Sequence, residues 1–266
     1  MVELKIGCAG WSYDDWIETF YPKHLNRSDH LNFYSKYFNL VEINATFYNL
    51  SSKEMVFNWN NRVPEDFRFA VKVWKEITHK YEQEDLNYVI YQFFEQLRPL
   101  NDKVDYYLLQ FPPWFKYSDK HVEYLRKIID LLPSNNKYVI ELRDNSWFDE
   151  NIIKILTKKS NIIIATSYIE EIIPYYAPNQ NSYYIRLIGD RQIQSFKIVQ
   201  RKKEEEITQL INKIQELKAN KNVKEIFIIV NNHYTGFAPE TANELKKKLG
   251  HPYHQFSKQK SLSDFI

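Results

Sequence analysis

The sequence predicts a single TIM barrel, a (β/α)8 fold of the α/β class, that spans residues 1–266. Eight short runs rich in β-branched and aromatic residues recur along the chain and alternate with longer amphipathic stretches. Several of these runs, such as FIIV and IIIA, are continuously apolar, which is typical of parallel strands covered on both faces. The length of 266 residues suits one such barrel, since the fold typically takes about 250 residues.

Each predicted strand is one of these runs. In chain order the strands are Leu4–Cys8, Leu40–Ile43, Arg68–Val73, Tyr106–Gln110, Tyr138–Leu142, Asn161–Thr166, Tyr183–Leu187 and Glu225–Val230. The clearest helical patterns between them are Leu86–Leu97, His121–Leu132, Glu204–Leu217 and Pro239–Leu249. In the second of these helices, apolar residues recur at three- and four-residue spacing and form one face. Asp119 is its predicted N-cap.

An open, doubly wound sheet is the alternative fold for such an alternation. That fold usually carries a Gly-rich phosphate-binding turn after a strand. This chain has only five glycines and no GxGxxG or Walker string, so the barrel is favoured. The charged segment Lys197–Glu206 is interpreted as the solvated start of a helix and not as an arm that binds nucleic acid.

The composition restricts the class of protein. A hydrophobic fraction of 44% and a charged fraction of 26% are typical of a globular chain. The net charge of +2 provides no broad basic field for nucleic acid. Cys8 is the single cysteine, which excludes an intramolecular disulfide and a Cys-rich zinc site. We expect a cytoplasmic protein without a membrane span, since no signal peptide or apolar stretch of about 18 residues is present. The sequence does not indicate an oligomeric state.

Charged residues interrupt four of the apolar strands. In a parallel barrel all the strands end on one face, so residues near those ends converge although they are distant in sequence. Burying an unpaired charge costs several kcal/mol, and a purely structural barrel would carry Val, Ile and Leu at these positions. We therefore expect the charged side chains to share one cleft. They are Glu42, Lys72, Glu141, Arg143 and Arg186.

These residue types suggest catalytic roles as well as structural ones. Glu42 and Glu141 are the candidate general acid and base, a task suited to a carboxylate whose pKa is raised by burial. Lys72 could pair with either carboxylate, hold an anion, or serve as a desolvated amine for Schiff-base chemistry. Arg143 and Arg186 could clamp a phosphate or carboxylate. Buried structural ion pairs are the alternative explanation for all five.

Other polar and aromatic residues follow the predicted strand ends and are candidate substrate-binding groups. They are Trp11, Asn44, Tyr48, His79, Gln110, Trp147 and Asn232. For each of them the alternative is a structural role, such as plugging the barrel mouth or capping backbone groups.

The strings around these residues resemble the YecE-like family, the domain of unknown function numbered seventy-two. They are GWSYDDW, VEINATFY, FAVKVWKEITH, LLQFPPWF, ELRDNSW, YYIRL and NNHYTGFAPETANEL, and they run in order from residue 6 to about residue 249. The resemblance implies a TIM barrel and supplies no established activity. Its pattern falls on Gly10, Trp11, Glu42, Asn44, Thr46, Phe47, Tyr48, Lys72, Thr78, His79, Gln110, Pro112, Glu141, Arg143, Trp147, Arg186 and Asn232.

The chain departs from the family pattern at two places. Ile188 stands where the family usually has a histidine before the glycine of the strand-seven motif. Thr166 or a neighbour stands where the family often has an aspartate near the end of strand six. If either missing group performs chemistry in relatives, the substrate or the activity of this protein is altered.

Three functions fit these observations. The first is an enzyme without a bound cofactor that acts on a small anionic substrate by metal-free acid–base chemistry. The second is a metal-dependent barrel that processes sugars or nucleic acid, although the chain has no HxH or HxxxH pair and its cations would repel a metal. Its ligands would be Glu42, Glu141, His79 and His233, with aromatic loops to stack bases. The third is a barrel that binds a ligand or partner without catalysis.

Overall fold

A computed structural model, in which residues 2–80 and 85–256 are described, contains a closed barrel of eight parallel strands in the order β1 to β8. This confirms the predicted fold. The strands are β1 (Glu3–Ala9), β2 (Leu40–Ile43), β3 (Arg68–Lys72), β4 (Val104–Gln110), β5 (Tyr138–Glu141), β6 (Ile162–Ile169), β7 (Ser182–Gly189) and β8 (Glu225–Val230). Each strand pairs with its sequence neighbour, and β8 closes the barrel by pairing with β1.

Helices cover the outside of the barrel. They are α1 (His30–Tyr34), α2 (Ala45–Tyr48), α3 (Lys53–Asn61), α4 (Lys75–Thr78), α5 (Leu86–Leu97), α6 (Asp119–Leu131), α7 (Glu150–Leu156), α8 (Glu204–Ala219), α9 (Asn232–Thr235) and α10 (Ala238–Lys248). Short 3₁₀ turns occur at Asp14–Trp16, Arg27–Asp29, Arg98–Lys103 and Asn145–Trp147. None of the helices formed by residues 2–80 and 85–256 is long and apolar enough to cross a bilayer.

The apolar residues form two separate layers because strand side chains alternate between the two faces of the barrel wall. The larger layer lies between the strands and the helices. The smaller layer fills the barrel interior with residues such as Leu40, Tyr106, Val139, Tyr184 and Phe227. The next inward position along each strand, toward its carboxyl end, therefore lies at the mouth of the barrel.

Two glycines allow the backbone to approach closely near this mouth. A Cβ on Gly7 would lie 2.0 Å from the carbonyl oxygen of Leu40, so β1 and β2 pack closer than any side chain permits. Gly189 has a φ of +80°, and a Cβ there would lie 2.1 Å from the carbonyl oxygen of His233. The end of β7 thus packs directly against the loop that follows β8.

The structure corrects four details of the sequence analysis. The N-cap of α6 is Ser118, whose side chain accepts from the backbone of His121, and not Asp119, which is the first helical residue. Helix α8 begins at Glu204, its predicted first residue, so most of the charged run Lys197–Glu206 precedes the helix and does not form its start. Strand β6 continues to Ile169, beyond the predicted end at Thr166. Residues 170–181, which join β6 to β7, contain no helix, since the segment is short and carries two prolines.

Candidate functional site

The charged side chains of the predicted cleft lie at the mouth of the barrel. Arg186 of β7 pairs in register with Ser167 of β6, and Glu141 of β5 pairs with Gln110 of β4. These positions follow the apolar interior layer on the same face of each strand. We name the following set the charged layer: Glu42, Lys72, Glu141, Arg143 and Arg186.

Arg186 joins the two carboxylates of the charged layer across the barrel. Its Nε donates to Oε2 of Glu42 at 2.9 Å and its Nη2 donates to Oε1 of Glu42 at 2.6 Å. Its Nη1 donates to Oε2 of Glu141. All three side chains are buried, and the two carboxylates raise the pKa of Arg186 against the opposing effect of burial. The guanidinium is therefore permanently charged and held by both strands.

Glu141 is further bound by Arg143, whose Nε lies 2.5 Å from Oε1 of Glu141. Burial alone would raise the pKa of Glu141, but Arg143 and Arg186 reverse that effect and lower it to about 2. The predicted raised pKa for this carboxylate is therefore wrong. At neutral pH Glu141 is ionised and is a weak base, since proton uptake would break two ion pairs.

Besides Arg186, Glu42 accepts hydrogen bonds from one residue that the sequence predicted for the site and from one that it did not. The hydroxyl of Tyr184 donates to Oε2 of Glu42 at 2.9 Å, and Asn44 Nδ2 donates to Oε1 at 3.1 Å. Asn44 was a predicted site residue, whereas Tyr184 was not. Tyr184 could have been found from the sequence, because it stands two residues before Arg186 and both side chains therefore lie on the same face of β7.

Lys72 differs from the other members of the charged layer because its amine has no carboxylate partner. Within residues 2–80 and 85–256, its Nζ forms no hydrogen bond or ion pair, and it lies 3.7 Å from the ring centroid of Phe47. Burial and the nearby Arg186 lower the pKa of Lys72 from its usual 10.5 to about 7, although Glu141 and Glu42 act in the opposite direction. The four carboxylate oxygens of Glu42 and Glu141 already accept hydrogen bonds from the two arginines, Asn44 and Tyr184.

His79 and Tyr48 lie at the edge of this region, around Phe47. The ring of His79 packs edge-on against Phe47 with centroids 4.9 Å apart, and its Nδ1 is 2.9 Å from the hydroxyl of Thr78. Burial, with Lys72 and other cations nearby, lowers the pKa of His79 to about 4. The imidazole is therefore neutral at neutral pH. Tyr48 is exposed to solvent and contacts Phe47.

Two of the predicted binding residues, Trp147 and Gln110, donate hydrogen bonds to the protein backbone. Trp147 is completely buried, donates from Nε1 to the carbonyl oxygen of Phe115 at 2.6 Å and stacks on the ring of Phe115. The structure gives it a packing role in place of the predicted ligand contact. The amide of Gln110 is buried and donates from Nε2 to the backbone oxygen of Phe111.

Trp11 and Asn232 pack in the loops that follow β1 and β8. Trp11 is partly exposed and meets Trp59 edge-on, with ring centroids 5.6 Å apart. Oδ1 of Asn232 accepts from Trp16 Nε1 at 3.2 Å and from the backbone of Ala238 at 3.0 Å. Asn232 thus ties the first loop to the start of α10.

Buried polar atoms at and after the carboxyl ends of the strands lack a partner within the described part of the chain. They include Trp74 Nε1 after β3, Ser167 Oγ in β6, Tyr175 Oη in the segment after β6, and Asn232 Nδ2 and His233 Nδ1 after β8. Buried polar groups are nearly always hydrogen-bonded, so each exception needs an explanation. Sequence reasoning did not single out Trp74 or Ser167. The alternation along β6 is the signal that places Ser167 on the same face as the charged layer, whereas Trp74 follows the end of β3 and packs against the larger apolar layer.

The two departures from the family pattern have different surroundings. Thr166 donates to the backbone oxygen of Tyr175 at 2.8 Å, whereas its neighbour Ser167 is the residue in register with Arg186. Ser167 is therefore the group of this run that faces the barrel interior. Ile188 is buried and occupies the next inward position above Arg186, so an apolar side chain lies there.

The four residues considered as ligands for the metal-dependent alternative do not form a metal site in the described part of the chain. Among residues 2–80 and 85–256, no three His, Cys, Asp or Glu side chains are arranged to hold a metal ion. His233, one of the four residues considered, packs its ring against Phe196, and its buried Nδ1 has no partner among residues 2–80 and 85–256.

The fold and the site define the class of this protein as a parallel (β/α)8 barrel with a charged layer at its carboxyl mouth. The chain belongs to the family described as protein of unknown function DUF72, whose model matches residues 5–264. This confirms the resemblance found in the sequence motifs.

Two curated proteins are similar to this chain. The UPF0759 protein YecE of Escherichia coli K12 is 29% identical over 145 residues, which are 54% of this chain and 50% of YecE. The matching part thus spans about half of that relative. The UPF0759 protein YunF of Bacillus subtilis 168 is 23% identical over 277 residues, which cover 94% of this chain and 96% of YunF.

Two solved structures of DUF72 proteins are also similar. The one from Thermotoga maritima has a TM-score of 0.79 and 28% identity, and covers 94% of this chain and 100% of its own. The one from Enterococcus faecalis V583 has a TM-score of 0.77 and 25% identity, and covers 97% of this chain and 99% of its own. None of these descriptions names a substrate or a reaction.

Proposed function

We propose that this protein is an enzyme that binds a small substrate bearing a phosphate or carboxylate at the barrel mouth and transforms it by acid–base chemistry. The observation that carries the proposal is Lys72, a cationic side chain of the charged layer whose amine has no carboxylate partner among the described residues. In this proposal Lys72 supplies the acid–base group. Glu42 and Glu141, which the sequence suggested for that role, instead hold Arg186 and Arg143 in position.

The balance of charge supports an anionic ligand. The charged layer contains two carboxylates and three cations, and both carboxylates are bound by the arginines. When Lys72 is protonated, the layer carries one positive charge in excess. A bound phosphate or carboxylate would neutralise that charge in a partly desolvated region, where an ion pair is stronger than in water.

The unpartnered donors support the same conclusion. Trp74 Nε1 and Asn232 Nδ2 can only donate, and the hydroxyl of Ser167 can also donate. All three lie at or just after the carboxyl ends of strands. A ligand rich in acceptor oxygens would satisfy them, which is a property of phosphate and carboxylate groups.

The pKa of Lys72 supports a catalytic role. A general acid or base works best when its pKa lies near the working pH, and the value of about 7 for Lys72 meets that condition. Glu141, with a pKa of about 2, and His79, with a pKa of about 4, do not meet it.

Calorimetric titration of the native protein with inorganic phosphate, and separately with pyruvate, tests the binding part of this proposal. We expect binding that weakens in Lys72→Met and persists in Lys72→Arg, because arginine retains the charge. Lys221→Met, which removes an exposed lysine, serves as the matched control and should bind as the native protein does. Absence of binding of either probe, or equal binding by Lys72→Met, would contradict the proposal.

The acid–base part is tested with the bound probe. Pyruvate carries exchangeable C–H protons next to its carbonyl group, and a positioned amine accelerates their exchange for deuterium. We expect this exchange, followed by proton NMR in heavy water, to be faster with the native protein than with Lys72→Arg. Equal rates in the two proteins, with binding intact in both, would refute the catalytic role of Lys72.

A further inference from the structure

We infer that Lys72 is a nucleophile that forms an imine with the aldehyde or ketone group of a small anionic substrate. The inference rests on the proposed function, because the same mouth must bind the anionic group of that substrate. It adds the substrate class, a carbonyl compound bearing phosphate or carboxylate, and a covalent intermediate.

The other inward or buried lysines have acceptors for their amines, whereas Lys72 has none among the described residues. Lys103 Nζ donates to the backbone oxygens of Asn60 and Val63, and Lys246 Nζ donates to that of Tyr37. At the opposite end of the barrel, Lys5 pairs with an aspartate. These amines therefore have hydrogen-bond or ion-pair acceptors, as expected for buried lysines.

The amine of Lys72 is not engaged in this way. Its contact in the structure is the ring of Phe47, 3.7 Å from Nζ to the centroid. Arg186 and Arg143 occupy the nearby carboxylates of Glu42 and Glu141, so these cannot serve as counterions for Lys72 without losing an arginine. The lack of a free counterion therefore disfavours the ammonium form, although the ring of Phe47 offsets part of this effect.

The ionisation of Lys72 agrees with this geometry. Burial lowers its pKa to about 7, so near neutral pH roughly half of the molecules carry a neutral amine. Desolvation next to another cationic group is a recognised way to activate a lysine for Schiff-base chemistry. The charged and titratable groups that face Lys72 are Arg186 of β7, Glu141 and Arg143 at the end of β5, Glu42 of β2 and His79 after α4.

The chemical step needs only the substrate and the amine. The nitrogen lone pair forms a bond to the carbonyl carbon as the electron pair of the C=O π bond moves to oxygen, and the proton lost by nitrogen passes to that oxygen. The hydroxyl group then takes one proton from solvent and leaves as water, which produces an iminium ion. Loss of the remaining proton on nitrogen gives the imine, so the net products are one imine and one water.

Reductive trapping tests the inference on the native protein. The probe is glyoxylate, an aldehyde that carries a carboxylate, in the presence of cyanoborohydride, which supplies the hydride that reduces an iminium carbon. The labelled protein is digested and mapped by mass spectrometry. We expect Lys72 to be labelled at least about tenfold faster than any exposed lysine, because a much larger fraction of its amine is neutral.

The controls separate this chemistry from general amine reactivity. Lys246, a buried lysine with a pKa lowered to about 8 and a backbone partner, is the internal control and should remain unlabelled. Lys72→Arg keeps the charge and removes the nucleophile, so it should lose the fast labelling while its circular dichroism spectrum matches the native one. Inorganic phosphate should slow labelling of the native protein by competing for the mouth.

The outcomes distinguish the inference from the proposed function. Fast labelling of Lys72 that phosphate slows supports both. Binding of phosphate with labelling spread evenly over the exposed lysines overturns the imine and leaves the anion-binding site in place. Absence of both phosphate binding and selective labelling overturns the inference together with the proposed function.

Discussion

Replacement of Lys72 by methionine is expected to stabilise the protein near neutral pH. Methionine matches the length of the lysine side chain and fits beside Phe47, and it removes an amine that has no carboxylate partner among the described residues. The remaining members of the charged layer keep their hydrogen bonds, since none of those bonds involves Lys72.

The size of the effect follows from the pKa of Lys72. A fall from 10.5 to about 7 corresponds to about 4–5 kcal/mol between the two protonation states. The side chain is partly exposed and lies on an aromatic ring, which reduces the stabilisation expected from Lys72→Met to on the order of 2–3 kcal/mol at about pH 6.

The dependence on pH has a definite sign. Between pH 7 and pH 10.5 the unfolded chain binds a proton at Lys72 that the folded chain has released, so folding becomes more favourable as the pH rises. The destabilisation by Lys72 is thus complete below pH 7 and is relieved by about pH 10. The advantage of the variant should therefore shrink over that interval.

Urea unfolding followed by tryptophan fluorescence, at about pH 6 and about pH 10, measures this difference. Lys221→Met is the matched control, because it makes the same substitution at an exposed position and should change the free energy of unfolding by less than about 0.5 kcal/mol. A Lys72→Met variant that is less stable than the native protein at pH 6, or whose difference does not change with pH, would refute the reasoning.

Three further changes test the structure. Glu42→Gln is expected to lower the free energy of unfolding by about 3–5 kcal/mol, since it removes one partner of a buried ion pair, and denaturant unfolding measures it. Because the pKa of Glu141 is about 2 in the folded protein and 4.5 unfolded, its contribution is present above pH 4.5 and is lost as the pH falls toward 2; Glu141→Gln should remove this part of the acid sensitivity in unfolding curves. Gly7→Ala should cost about 2–3 kcal/mol or more by overpacking against Leu40, and thermal unfolding measures it.

The changes at Glu42 and Gly7 each have a matched control. Glu216→Gln acts on a surface pair with Lys213 and should change stability by less than about 1 kcal/mol. Gly250→Ala introduces a Cβ that has no atom within 4 Å, so only its positive φ opposes the substitution. If the Glu42 or Gly7 variants lose no more stability than these controls, the tight contacts described for them do not hold in solution. A native acid midpoint equal to that of Glu141→Gln would contradict the assigned pKa.

The sequence was sufficient to predict the barrel and the position of most charged side chains. The strand Glu225–Val230 and the helix Leu86–Leu97 have the predicted bounds, because each is an uninterrupted apolar or amphipathic run. Alternation within strands also predicted that Glu42, Glu141 and Arg186 meet, as the ion pairs show. Local patterns settle such features because they depend on the spacing of neighbouring residues.

Features that depend on distant partners could not be predicted in this way. The sequence predicted that Glu141 and Arg186 share one cleft, but not that Arg186, 45 residues away, donates to this carboxylate and helps to lower its pKa. Trp147 is removed from the surface by its bond to Phe115, 32 residues earlier. The last residues of β6 are strand only because β7 pairs with them. In each case the deciding contact is tertiary, and no periodicity in the sequence encodes it.

The bridge made by Arg186 also bears on how the chain assembles. Glu42 lies in the N-terminal half of the barrel and Arg186 in the C-terminal half, 144 residues later. An isolated C-terminal half would contain Arg143 and Arg186 with Glu141 as their sole carboxylate within the charged layer. It would therefore leave a cation incompletely neutralised at its exposed edge. Closure of the barrel brings Glu42 to Arg186. The charge of Arg186 is therefore fully paired in the complete barrel and not in either half alone.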